Sequence, residues 1–248
     1  MKKPYLSIII PAYNEARRLA LTLIDIDRHM STAPFSYEII IVDNNSKDNT
    51  KELAQRFSSF VEHMRIIECK TQGKGAAVQK GMLEATGDLR IFTDTDNSTS
   101  IDQFFSMEHY FKEGYDIVIG SRTLPESKLI PPQPWYRRVL GIMGNVVVRF
   151  LITKGIKDTQ CGFKAFSERA ALSIFPHMVI NRWGFDFEAL AVATHMGFRI
   201  KEVPVTWVND TDSRVRMGSY IRTLMDAVRV YVRIKTGKYS RYHVQQTH

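Results

Sequence analysis

Asp94 and Asp96, separated by Thr95, follow the short apolar run Leu89–Thr93. Two carboxylates so spaced can grip a hard divalent cation such as Mg²⁺ or Mn²⁺, directly or partly through water. Aspartate spacing alone is weak evidence: with 14 aspartates in 248 residues about one such pair arises by chance, and the chain has three. Asp25/Asp27 lies in a helical pattern and reads as a solvated face, and Asp210/Asp212 in a connector reads as a turn. Only Asp94/Asp96 closes an apolar strand. Gly73-Lys74-Gly75 opens a helix, where free N–H groups and a lysine can hold a phosphate, or the glycines can simply serve a turn. Asp43, ending an Ile-Ile-Ile-Val run, could accept from a base or a ribose hydroxyl, or cap the next helix. Arg122 offers a planar fork for a phosphate, or one half of a surface ion pair.

These residues need elements to hold them. Apolar runs at Tyr5–Ile10, Tyr37–Val42, Arg65–Glu68, Leu89–Thr93 and Asp116–Gly120 predict strands buried on both faces. Amphipathic stretches at Glu15–Met30, Asp48–Ser58, Gly75–Ala85 and Ile101–Lys112 predict helices between them. The alternation predicts an α/β fold with a mostly parallel central sheet and flanking helices. In open sheets of this kind ligands bind beyond the carboxyl ends of the strands, where the residues above fall. Further on, prolines 125, 131, 132 and 134 break the chain. A long apolar helix is expected over Arg137–Lys154, a helix over Phe185–Met196 and a strand over Arg199–Val205. The body is expected to span residues 1–210, with Asn209–Arg216 as connector and residues 211–248 as a basic amphipathic extension.

Composition sets the class. Hydrophobic residues at 44% and charged residues at 24% suit a globular core. No apolar run approaches the ~18–20 residues of a spanning helix, and Leu6–Ile10 is too short for a signal peptide. Cys69 and Cys161 are too few and too distant for a disulfide framework, so a cytoplasmic location is expected. Net charge is +8, and +7 of it lies in the last 36 residues. A cationic tail on a near-neutral body points to an anionic partner, nucleic acid or phospholipid. In the tail Ile221, Leu224, Met225, Val228 and Tyr231 share one helical face and Arg222, Asp226, Arg229 and Arg233 another, as in helices lying in a headgroup layer or docked on a protein.

Taken together, Ser7–Glu15, Val42–Asp48, Gly73–Gly75 and Asp94–Asp96 resemble the inverting family 2 glycosyltransferases of the Rossmann-like GT-A fold. The blocks Asp158-Thr-Gln-Cys-Gly-Phe-Lys164 and Arg182-Trp-Gly-Phe-Asp-Phe-Glu188 narrow this to a resemblance to dolichyl-phosphate β-glucosyltransferases and related polyprenyl-phosphate enzymes. The resemblance implies a nucleotide-sugar donor, UDP-glucose first and GDP-mannose as the alternative, a divalent metal, and a polyprenyl phosphate acceptor. Position by position, Pro11, Tyr13, Glu15, Asp43 and Lys74 would hold the nucleotide, and Asp94 and Asp96 the donor and the metal. Eukaryotic members begin with a membrane helix that this sequence does not show, so attachment is expected to be peripheral, at the cytoplasmic face of a membrane. The family's Gly-Ser-Lys segment reads Asp212-Ser-Arg214 here.

A phosphate monoester is largely dianionic at neutral pH, so the acceptor needs little or no general base. It does need cations, and Arg122, Arg214 and Arg216 are the candidates. Gln160 and Asp158 would form the far wall of the site, with Gln160 counted among the catalytic candidates beside Asp94, Asp96 and Arg122. Cys161 reads as a small buried residue, since direct displacement needs no covalent enzyme intermediate. Trp183, Asp186 and Glu188 could pack, orient the sugar or bind metal. A nucleic-acid-binding module is the reading of another class, and beyond the basic tail no motif favours it. A nucleotidyltransferase would want a Gly-rich loop where the chain has Ala12-Tyr-Asn-Glu15. A second copy of the chain, forming a homo-oligomer, is a further candidate partner.

Overall fold

A computed structural model describes residues 3–131, 155–209 and 218–239. Five strands alternate with helices as the hydrophobic pattern requires: β1 (Leu6–Ala12), α1 (Leu19–Met30), β2 (Tyr37–Asp43), α2 (Thr50–Phe57), β3 (Met64–Glu68), α3 (Lys74–Glu84), β4 (Leu89–Phe92), α4 (Glu108–Lys112) and β5 (Ile117–Ser121). There follow β6 (Lys128–Ile130), β7 (Lys164–Ser167), α5 (Glu168–Ile174), α6 (Phe185–His195), β8 (Ile200–Pro204), β9 (Thr206–Val208) and α7 (Gly218–Lys235). The main sheet has seven strands in the order β3-β2-β1-β4-β7-β5-β8. All neighbours are parallel except β7, which runs antiparallel between β4 and β5. A parallel β6–β9 pair stands beside it.

Period-2 alternation splits the core into two layers. Ile8 and Ile10 of β1 and Ile39 and Ile41 of β2 pack with Leu19, Leu23 and Ile26 of α1. Ile9, Ile40 and Val42 face the other way, onto Ala77, Val78 and Met82 of α3. That second layer continues through Phe92, Phe166, Phe175, Phe185 and Phe187, and takes in Ala227, Val230 and Tyr239 from the carboxy-terminal segment. Gly81 is required here, because a Cβ would sit 2.4 Å from Ile9 Cγ2. A helix therefore covers each face, which is why the strands read as continuous apolar runs.

One expectation needs correction, and one segment forms elements the sequence did not predict. The helix over Ile101–Lys112 is a 3₁₀ segment, Ile101–Ser106, followed after Met107 by the short α4. The segment around residues 164–174, read without an assigned element, supplies the one antiparallel strand of the sheet and then α5, capped by Ser167 accepting from Ala170 N. The helix expected over Arg137–Lys154 and most of the connector lie outside the described residues.

Candidate active site

The strand order reverses beside β1, with β2 on one side and β4 on the other, and the crevice beyond their carboxyl ends is the expected ligand site. The loops there are fastened to one another. Asn14 N donates to Ser46 Oγ at 3.1 Å and Lys47 N to Asn14 Oδ1 at 2.8 Å, joining the loops after β1 and β2. Glu15 N donates to Thr50 Oγ1 at 2.8 Å. Asn44 reaches the third loop: its Nδ2 donates to Thr71 O at 2.7 Å, and its Oδ1 accepts from Gly73 N at 2.7 Å. On this frame Pro11 is buried within β1, Asp43 is buried at the end of β2, and Tyr13 stands exposed at the rim.

Lys74 begins α3, and its Nζ lies 2.5 Å from Asp94 Oδ1. Gly73 makes this entry possible: its φ is +134°, and a Cβ there would lie 2.0 Å from Asn181 O. Burial works against the Lys74 charge, but Asp94, Asp186 and Asp96 outweigh it, so its pKa is raised. Asp96 is pushed upward, chiefly by burial and then by the like charge of Asp94, although Ser98 N donates to its Oδ1 at 3.0 Å. The intervening Thr95 is anchored by Thr22 Oγ1, which donates to its carbonyl at 2.7 Å. Gly162 closes the far side, where a Cβ would fall 2.3 Å from Asp94 Oδ2.

Two carboxylates confined this closely, one of them disfavoured as an anion, form a donor set suited to a hard cation. Among the described residues no cluster of three or more His, Cys, Asp or Glu side chains is placed to hold a metal. Asp94 and Asp96 would therefore supply two ligands at most, and phosphate oxygens and water the rest, as Mg²⁺ usually requires.

The far wall is a second charge cluster. Arg122 grips Asp158 with Nε and Nη2 at 2.8 and 2.9 Å, and its backbone N–H donates to the same carboxylate at 2.9 Å. Burial would raise the Asp158 pKa, but the Arg122 charge and hydrogen bonds more than offset it and hold it at about 2. The Arg122 guanidinium lies 4.9 Å from the Trp207 ring centre, a cation–π distance. Gln160 N donates to Asp158 Oδ1 at 3.2 Å, and Glu202 accepts from Asp158 N at 2.9 Å.

The structure thus brings Lys74, Asp94 and Asp96 together and sets Arg122 with Gln160 around Asp158. Arg214 and Arg216 lie outside the described residues. Cys161 is fully buried, and desolvation lifts its thiol to about 12, which fits a packing role. Of Trp183, Asp186 and Glu188, the last is structural: its oxygens accept from Val179 N and Ile180 N at 2.9 Å and from Tyr239 Oη at 2.7 Å. Asp186 instead pairs with the fully buried Lys164 at 2.6 Å. The exposed Trp183 puts its ring centre 5.4 Å from Lys74 Nζ. Asn44, Gly162 and Lys164 were not singled out by sequence reasoning. The glycine in Cys161-Gly162-Phe163 was the available signal for one of them.

Residues 7–175 match the signature of glycosyl transferase family 2. This chain belongs to that family. Among curated relatives it is 37% identical to the dolichyl-phosphate beta-glucosyltransferase of Dictyostelium discoideum, over 94% of this chain and 76% of that protein. It is 31% identical to the Homo sapiens protein of the same name, again over 94% and 76%. The solved structure of Mycobacterium tuberculosis glucosyl-3-phosphoglycerate synthase with Mn²⁺, uridine-diphosphate-glucose and phosphoglyceric acid superposes with a TM-score of 0.67 at 18% identity, covering 92% of this chain and 79% of that one. The likeness in fold establishes the GT-A architecture for this family 2 glycosyltransferase.

Proposed function

We propose that the enzyme transfers glucose from UDP-glucose to a polyprenyl phosphate of the dolichyl class, with inversion, at the cytoplasmic face of a membrane. The observation that carries the reading is the confinement of Asp94, Asp96 and Lys74 at the sheet's switch point. The names of the relatives support the sugar and the acceptor. The complex formed by the structural neighbour supports a uridine nucleotide and a divalent ion.

In this reading Tyr13, Pro11, Glu15 and Asp43 hold the nucleoside, and Asp94 and Asp96 hold Mg²⁺ or Mn²⁺. When bound, the ion acts as a Lewis acid that offsets charge on the departing diphosphate. The Lys74 ammonium donates hydrogen bonds to the same phosphates, leaving Asp94 for the donor. On the other side Arg122 faces the acceptor. Two of its five side-chain donors go to Asp158, which fixes the plane of the fork and leaves the others for a phosphate. Gln160 lies next to it in the same wall, and Arg214 and Arg216 complete the acceptor's cation set.

The acceptor phosphate attacks the anomeric carbon as its sugar–diphosphate bond breaks. Because that phosphate is already a dianion near neutral pH, the residues need to orient it rather than deprotonate it. The test is transfer of radiolabelled sugar into the lipid phase, with UDP-glucose and GDP-mannose as rival donors. Label from UDP-glucose, dependent on Mg²⁺ or Mn²⁺, is expected. Label from GDP-mannose alone would overturn the donor, and label that persists in EDTA would overturn the metal.

A further inference from the structure

Helix α7 has two apolar faces, and the body covers one. Ala227, Val230 and Tyr239 are buried in the core that α6 shares, with Ile234 packed against it. On the other side Leu224, Met225, Val228, Tyr231 and Val232 stand exposed, Met225 by 66%. Their spacing of i, i+1, i+4, i+7 and i+8 makes one stripe two turns long. The exposed charges of residues 222–239 are all basic: Arg222, Arg229, Lys235 and Lys238. The segment's single acid, Asp226, is half-buried and leans on Gly184, whose added Cβ would lie 3.0 Å from Asp226 Cβ.

An apolar stripe of this length on a soluble surface marks an interaction site. Its chemistry selects the partner. Apolar side chains bordered by cations, with no exposed acid, suit the boundary between acyl chains and anionic headgroups. A second copy meeting the same face would set arginine against arginine. The location is also suited to a lipid. A cleft of about 200 Å³ lined by Val179, Ile180, Asn181, Arg182, Asp226 and Arg229 lies between α7 and the segment flanking the donor site. In that segment Asn181 O accepts from Ala76 N of α3 at 3.1 Å, and Trp183 faces Lys74.

We propose that the outer face of α7 docks on an anionic bilayer, which sets the mouth of the site, at Arg182 and Arg229, at headgroup level. The placement rests on the lipid-phosphate acceptor proposed above, but its test does not use that acceptor. The full chain is floated with vesicles of phosphatidylcholine alone, or with roughly a third phosphatidylglycerol, both free of polyprenyl phosphate. Binding to the anionic vesicles, weakened by salt, is expected. In a Val228→Glu/Val232→Glu double variant that binding should fall at least about tenfold. Both side chains are exposed, so the melting temperature should hold and show that the variant is folded. Equal vesicle binding by the variant, or none by the parent, overturns the proposal. So does a parent dimer that the variant converts to monomer while vesicle binding persists. A variant that loses the vesicles while no glucosyl transfer is ever found would leave this surface standing and sink the acceptor reading instead.

Discussion

Asp96 stands half-buried beside a second carboxylate, a place that disfavours its charge. Removing one of two like charges relieves repulsion, as expected of a pair kept for the proposed ion. Asp96→Asn is therefore expected to lower kcat/KM by about 10²-fold or more while leaving the melting temperature of the metal-free enzyme equal or higher. A calorimetric scan beside the transfer assay checks both halves. Asp158 differs, since its pKa is depressed and not raised. Its pairing with Arg122 stabilises the fold fully above the unfolded value near 4, and that contribution is lost as pH falls toward about 2. Asp158→Asn leaves the half-buried guanidinium uncompensated and should cost about 3 kcal/mol at neutral pH. The gap from the parent should narrow steadily in acid unfolding curves below pH ~4. A gap independent of pH would show that the ion pair is not what the substitution removes.

Between the elements, contact distances govern the site. Gly162, in the loop before β7, lies so close to Asp94 that Gly162→Ala must displace the carboxylate, since Cβ would fall 2.3 Å from Oδ2. The expected result is weaker metal-dependent donor binding, a rise in KM, with a smaller change in melting temperature. A drop in stability with KM intact would place the strain elsewhere. The buried Glu188–Tyr239 bond joins α6 to the end of the carboxy-terminal segment, so Tyr239→Phe should cost about 1–3 kcal/mol and loosen α7. Hydrogen exchange over residues 222–239 reads this directly. The parallel strands, α1 to α3 and the Asp94/Asp96 pair were legible in sequence, because β-branched runs and polar strand ends are local signals. The antiparallel β7 was not: Lys164-Ala-Phe-Ser167 carries a buried lysine where a strand pattern wants an apolar residue. That lysine is tolerated because Cys161 O and Asp186, the latter 22 positions away, accept from its ammonium. Arg122 was read as a cation for phosphate, while its tie to Asp158 spans 36 positions that no local pattern links.

The molecule as a whole joins a neutral, tightly cored body to a cationic end, and the structure tucks one face of that end into the body's own core. Among the described residues no helix is long and apolar enough to cross a membrane. Residues 179–183 border both sides: Trp183 meets Lys74 of the polar crevice, and residues 179–182 line a cleft with Asp226 and Arg229 of α7, the arrangement the proposed meeting of a soluble donor with a lipid acceptor needs. Charge divides the molecule accordingly, acidic at Asp94 and Asp96 and basic along the exposed side of α7. The proposed mechanism depends on the pair beyond β4 holding an ion that in turn holds the donor. The direct measurement is isothermal titration of UDP-glucose into the parent and into the Asp96→Asn variant, each with Mn²⁺ and with EDTA. Parent binding that requires Mn²⁺, together with binding by the variant that is weak and indifferent to the ion, is the predicted result. Equal, Mn²⁺-dependent binding by both proteins would contradict it.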